Sequence, residues 1–130
     1  MSILLVILAV EDLPRAAAFY DAAFGWEVRV DVPVYREYRV PGGTGVGLYV
    51  RGGFARNIGV APASVPPGAV TSTEIYVRVD DLPAAVARLG KAGARLLSPA
   101  AARDWGDDAA YFADPDGNVI AVAVPRPPGA

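Results

Sequence analysis

Hydrophobic and polar positions along this chain change their period several times, and the changes mark the elements. Ile3–Val10 is a nearly unbroken apolar run of strand length. Behind it, in "VEDLPRAAAFYDAAFG", Ala16, Phe19, Tyr20 and Ala23 recur at helical spacing. Strands are predicted over Glu27–Val32, Tyr35–Val40 and Val46–Arg51. The order then repeats. A strand over Thr73–Val79 leads into "VDDLPAAVARLGKAG", with Leu82, Val86 and Leu89 at helical spacing, followed by strands over Arg95–Leu97, Ala109–Ala113 and Val119–Val124. The helices share their punctuation: Asp12 and Asp81 as N-caps, Pro14 and Pro83 in the first turn, Gly25 and Gly93 at the exit.

Each half therefore reads βαβββ, an α+β arrangement of two tandem modules. The expectation is a single domain over residues 1–130, with module one at about 1–52 and module two at about 73–125. The intervening residues, about 53–72, are rich in Gly and Pro and read as a linker.

Composition narrows the chemistry. With 130 residues and 53% hydrophobic content, the chain can bury a core without staples. A net charge of −2 leaves no basic excess to neutralise phosphates, so neither nucleic acid nor a membrane is an expected partner. There is no cysteine and no histidine. That removes thiolate sites, the commonest transition-metal ligand and the commonest general base, and leaves the serines without a triad partner. The opening "SILLVILAV" lacks a basic flank and is too short to span a bilayer, so the expected location is the cytoplasm. "GGTGVG" (42–47) precedes a strand rather than a helix and reads as a hairpin turn, not a phosphate loop. "RDWGDD" (103–108) reads as a solvated turn.

The paired modules, the opening "VEDLPRAAAFYDAAFGW" and the closing "YFADPDGNVIAV" together resemble the glyoxalase / bleomycin-resistance / extradiol-dioxygenase (vicinal oxygen chelate) superfamily. The resemblance implies a curved, cup-shaped mixed sheet with helices on its outer face. It also implies that metal-dependent members draw ligands from the inner faces of the first and last strands of each module. Those positions fall here on Leu5, Glu74 and Ala121, with a fourth in Val46–Arg51, where neither face offers a usual ligand. One carboxylate in four positions does not make a catalytic divalent site, so no metal and no cofactor is expected.

Alternation of faces lists what would line such a cup. Leu5 and Ile7 come from the first strand, and Glu74, Tyr76 and Arg78 from the strand that opens module two. Tyr35, Tyr38, Tyr49, Phe54, Trp105 and Tyr111 lie in strands or loops that border it, whereas Trp26 reads as core. Aromatic walls suit a planar ring, and Glu74 suits a cation or an N–H donor, or else pairs with Arg78, Arg51 or another arginine. Resemblance to the bleomycin-resistance branch implies a homodimer that sequesters a planar aromatic or peptide antibiotic, or a metabolite. The alternative is a glyoxalase-like lyase, isomerase or dioxygenase with an atypical metal site, or with Glu74 as general base, a reading that would gain if Glu37 faced the same cup.

Overall fold

The computed structural model describes residues 1–129. The element order is β1 (Leu5–Val10), α1 (Leu13–Ala23), β2 (Glu27–Val32), β3 (Tyr35–Arg39), β4 (Gly45–Val50), α2 (Arg51–Ile58), β5 (Glu74–Arg78), α3 (Leu82–Lys91), β6 (Arg95–Ala102), β7 (Asp107–Ala113) and β8 (Val119–Pro125). Each module forms its own mixed four-stranded sheet, ordered β1-β4-β3-β2 and β5-β8-β7-β6. In both, the first strand runs parallel to the last and the remaining pairs are antiparallel. The chain groups into two compact units, residues 1–21 with 25–64, and 22–24 with 65 onward. No helix among the described residues is long and apolar enough to cross a membrane.

The helices form where local chemistry directs them. Asp12 Oδ1 accepts from the Arg15 N–H at 3.0 Å, and Asp81 Oδ1 from the Ala84 N–H at 3.0 Å. Each cap satisfies a donor that the first turn leaves without a partner. Gly25 and Gly93 close the two segments with φ of 63° and 90°. In module one, Ala16, Phe19, Tyr20 and Ala23 of α1 are buried with Leu8, Val10, Val46, Leu48 and Tyr38. In module two, Leu82, Ala85 and Leu89 are buried with Ala110, Phe112, Ile120 and Val122.

Three elements differ from the sequence reading. The Gly-rich start of the expected linker is the helix α2, closed by Gly59 in the left-handed region at φ 82°. Its Gly53 is a packing requirement rather than a breaker, because a Cβ there would come within 2.5 Å of the Tyr49 ring. Strand β6 runs on through Pro99 to Ala102, which its position at the sheet edge and its two register shifts permit. Strand β7 begins at Asp107, two residues earlier than expected. The "GGTG" segment is the β3–β4 hairpin, as read.

Candidate functional site

Register assigns the faces. In module one, Ala9, Tyr49 and Tyr35 form one cross-strand row, Ile7, Gly47 and Glu37 the next, and Leu5, Gly45 and Arg39 the third. All lie on the face opposite α1, since paired residues project to the same side of a sheet. Over one end of this face lies α2. There Ile7, Val34, Tyr35, Tyr49, Phe54, Asn57 and Ile58 line an open cavity of about 450 Å³. Its walls are almost entirely hydrocarbon and aromatic ring. Tyr35 and Tyr49 meet edge-to-face at 5.7 Å, and the Asn57 side-chain amide donates to the Tyr49 hydroxyl at 3.1 Å. Four residues expected at the site, Ile7, Tyr35, Tyr49 and Phe54, are thus brought together. Val34, Asn57 and Ile58 were not foreseen, although Phe54, Asn57 and Ile58 stand at i, i+3 and i+4, the signature of one helix face.

Beside it lies a second cavity of about 390 Å³, bordered by Ile3, Leu5, Arg29, Glu37, Arg39 and Gly45 among others. Glu37 has only 7% of its side chain exposed and is fully engaged. The Tyr35 hydroxyl donates to Oε1 at 2.6 Å and the Arg29 guanidinium to Oε2 at 2.5 Å. The tyrosine hydrogen bond, reinforced by Arg29, holds the Glu37 carboxyl below its ordinary value against the opposing effect of burial. Burial and the neighbouring carboxylate push the Tyr35 phenol well up. Gly47 makes this arrangement possible, because a Cβ there would collide with the Tyr35 hydroxyl and would stand 2.6 Å from the Ile7 Cδ1.

Tyr38 is corrected. It lies between Glu37 and Arg39 on β3 and so projects to the other face, toward α1. Its residue is 0% exposed, its ring packs near Tyr20 and Trp26, and its hydroxyl donates to Asp21 Oδ1 at 2.8 Å. It borders the second cavity from beneath without offering surface to it. Tyr38 is core, whereas its neighbour Trp26, read as core, is half-buried.

In module two the equivalent face carries Glu74, Tyr76 and Arg78 on β5, then Val119, Ala121 and Ala123 on β8, then Asp107, Ala109, Tyr111 and Ala113 on β7. The alanines of β8 are wholly buried, and Ala121 is paired with Tyr76 on one side and Tyr111 on the other. Asp107 organises the polar side chains. Its Oδ2 accepts from the Tyr76 hydroxyl at 2.6 Å and from Arg78 Nε at 3.1 Å, and Trp105 Nε1 donates to the same tyrosine oxygen at 2.8 Å. The Tyr76 hydrogen bond and the Arg78 charge hold the Asp107 carboxyl below its ordinary value. Burial first, and Asp107 second, push the Tyr76 phenol up.

Asp107 therefore is no solvated turn residue: its side chain is 5% exposed. The pairing of Glu74 with Arg78 does not form, since Arg78 turns to Asp107. Glu74 instead stands near enough to Tyr111 to raise its phenol, after burial, while Arg103 lies 5.0 Å over that ring. Among the predicted residues, Tyr76, Arg78 and Trp105 share one hydrogen-bonded cluster, and Leu5 lines the second cavity of module one.

The donor set does not fit a catalytic metal. Leu5 and Ala121 have no ligand atom on their side chains, and the same face of β4 carries Gly45, Gly47 and Tyr49. Of the three buried carboxylates among the described residues, Glu37 and Asp107 are committed to Tyr–Arg pairs and Asp114 accepts from the Asp116 and Asn118 amides. Among the described residues no three Asp or Glu side chains converge.

Comparison with known proteins agrees with this architecture. A family model described as a glyoxalase-like domain matches residues 5–123. A glyoxalase-related enzyme from Fulvimarina pelagi is 28% identical with a TM-score of 0.82, over 95% of this chain and 88% of that one. A glyoxalase/bleomycin resistance protein/dioxygenase from Nocardioides is 22% identical with a TM-score of 0.79, over 99% and 86%. A lactoylglutathione lyase from Agrobacterium tumefaciens is 22% identical with a TM-score of 0.71, over 95% and 92%. At that identity the last two speak for the fold alone. No curated protein matches the sequence. With two βαβββ modules in the expected strand pairing and a family match across nearly all of both, the chain belongs to the glyoxalase-like domain family, within the vicinal oxygen chelate superfamily.

Proposed function

We propose that this protein is a metal-free binder of a planar aromatic small molecule, an antibiotic or a metabolite, and that it works as a cytoplasmic homodimer. The observation that carries the reading is the cavity of about 450 Å³ under α2, where Ile7, Tyr35, Tyr49 and Phe54 meet. Its volume lies in the range of small-molecule sites, and its walls are apolar with one amide at the rim. Neither engaged carboxylate suits proton abstraction, because each is held charged by its partners rather than poised near neutral pH. With Glu74 as the one carboxylate at the family's metal positions, the donor set supports a binder over a metal-dependent lyase.

Two titrations test this. Calorimetry of the wild type with a neutral planar probe, naphthalene carboxamide, should give saturable binding that Phe54→Ala weakens by about ten-fold or more, the order of a large aromatic contact. Metal-stripped protein titrated anaerobically with Zn²⁺, Ni²⁺, Mn²⁺ and Fe²⁺ should show no tight site. One-to-one metal binding that is lost in Glu74→Gln would overturn the metal-free reading and put the lyase, isomerase or dioxygenase reading in its place. Light scattering of a monomer at micromolar concentration would remove the dimer.

A further inference from the structure

The two cavities of module one occupy one face of one sheet but differ in charge. The apolar cavity is built on the Tyr35–Tyr49 row and the second on the Leu5–Gly45–Arg39 row. Four residues of strand separate these rows, a span of roughly 13 Å. Across the row between them, Gly47 keeps the floor low, and Ile7 and the hydrogen-bonded Tyr35–Glu37 pair lie over it.

The charges bordering the second cavity do not cancel: Arg29 and Arg39 stand against Glu37 alone. Both oxygens of Glu37 already have partners, so it offers little to a cation. Arg39 is 59% exposed and, among the described residues, is held only by Glu27 at 3.8 Å, itself exposed, a pairing worth little in water. Arg29 sits where the β2–β3 register slips between Val28 and Val30. Such bulges re-aim a side chain, and this one brings the guanidinium to Glu37 on the cavity's face. Ile3 and Leu5 supply an apolar wall beside these groups.

We infer that the second cavity is a carboxylate subsite, so that the ligand is a planar aromatic acid whose ring lies among Tyr35, Tyr49 and Phe54 and whose carboxylate meets Arg39, with Arg29 beside it. The inference rests on the aromatic-binding reading above and specifies its ligand class. One surplus positive charge matches a monoanion, and the guanidinium fork matches the two oxygens of a carboxylate. The span between rows calls for a short linker between ring and acid.

The test compares naphthylbutanoate with its amide, which keeps ring and linker and removes the charge. In wild type the acid should bind tighter by about ten-fold, the order of one charge-assisted hydrogen bond. The preference should shrink when salt rises to roughly 0.5 M, because the arginines are partly exposed. Arg39→Gln should weaken the acid far more than the amide and so abolish the preference, while Arg39→Lys should keep part of it. Phe54→Ala should weaken both probes alike. Equal binding of acid and amide by wild type overturns the carboxylate subsite and leaves the aromatic reading standing. Binding of neither overturns both. A preference that survives Arg39→Gln undiminished overturns the subsite's location.

Discussion

The two modules share a topology and a register, and on corresponding faces each buries one carboxylate between a tyrosine and an arginine. In module one the set is Tyr35, Glu37 and Arg29, and in module two it is Tyr76, Asp107 and Arg78. The positions are not equivalent. Module one draws tyrosine and acid from the same strand, two residues apart, whereas module two takes tyrosine and arginine from β5 and the acid from β7. A buried carboxylate needs partners whatever strand supplies them, and both faces meet that need with one phenol and one guanidinium. What separates them is the middle strand and the cover. Strand β4 presents Gly45 and Gly47, whereas β8 presents Ala121 and Ala123. One face has α2 over one end, while on the other the half-exposed indole of Trp105 donates to the tyrosine hydroxyl. A methyl group removed and a helix added turn the same polar device into the side of a cavity.

The largest effect should come from reversing that difference. Gly47→Leu drives a side chain into Tyr35 and Ile7 and breaks the conditions for the Tyr35–Glu37 hydrogen bond. Over-packing of this kind costs typically about 1–3 kcal/mol, and naphthalene carboxamide binding should be lost with it. Its counterpart, Ala121→Gly, removes one buried methyl from a strand. It should cost about 1 kcal/mol through packing and chain entropy while leaving probe binding intact. Denaturant midpoints and calorimetry on the two variants read both numbers. Retained binding in Gly47→Leu would break the comparison, because the cavity walled by Ile7 and Tyr35 would then not be the ligand's place.

Acid should reveal the shared device next. Glu37 and Asp107 both titrate below their ordinary values of 4.5 and 3.8 in the folded protein. On lowering the pH, the unfolded chain takes up these protons first. Their contribution to stability is therefore complete above about pH 5 and is lost as the pH falls through about 4 toward the depressed folded values. Glu37→Gln and Asp107→Asn should each lower stability at neutral pH and flatten its decline between about pH 5 and 3. Urea denaturation across that range checks the sign. A variant that leaves the slope unchanged would show that its trio does not hold a charge on folding.

How far the sequence could be read follows the same division. The caps at Asp12 and Asp81, the βαβββ order and the β3–β4 hairpin are local, decided by residues within a turn of one another, and all were legible. The helix α2 was hidden by Gly52-Gly53, and the reason for Gly53 is tertiary: the Tyr49 ring occupies the space a Cβ would need. Tyr38 could have been placed correctly, because Tyr35 and Tyr38 are three residues apart and cannot project to one face of a regular strand. Asp107 shares parity with Ala109 and Tyr111, but that parity helps only once the strand is known to begin at the acid. The site of Arg29 depends on a bulge, and nothing short of the pairing register discloses one.

Trp105→Phe should give the smallest effect and the sharpest test of the cover. The indole is 56% exposed, so little buried area is at stake, and the loss is chiefly its hydrogen bond to the Tyr76 hydroxyl. That bond should be worth about 0.5–1.5 kcal/mol at most, less for its exposure. It has a spectroscopic sign as well. The indole N–H stabilises the Tyr76 phenolate, opposing burial and Asp107, so its removal should push the phenol's titration further up in alkaline absorbance measurements. Naphthalene carboxamide binding should not change, because Ile7, Tyr35, Tyr49, Phe54 and Asn57 all belong to module one. A large loss of binding in Trp105→Phe would mean that the ligand reaches the module-two face too. The aromatic cavity under α2 would then be half of a site rather than the whole of it.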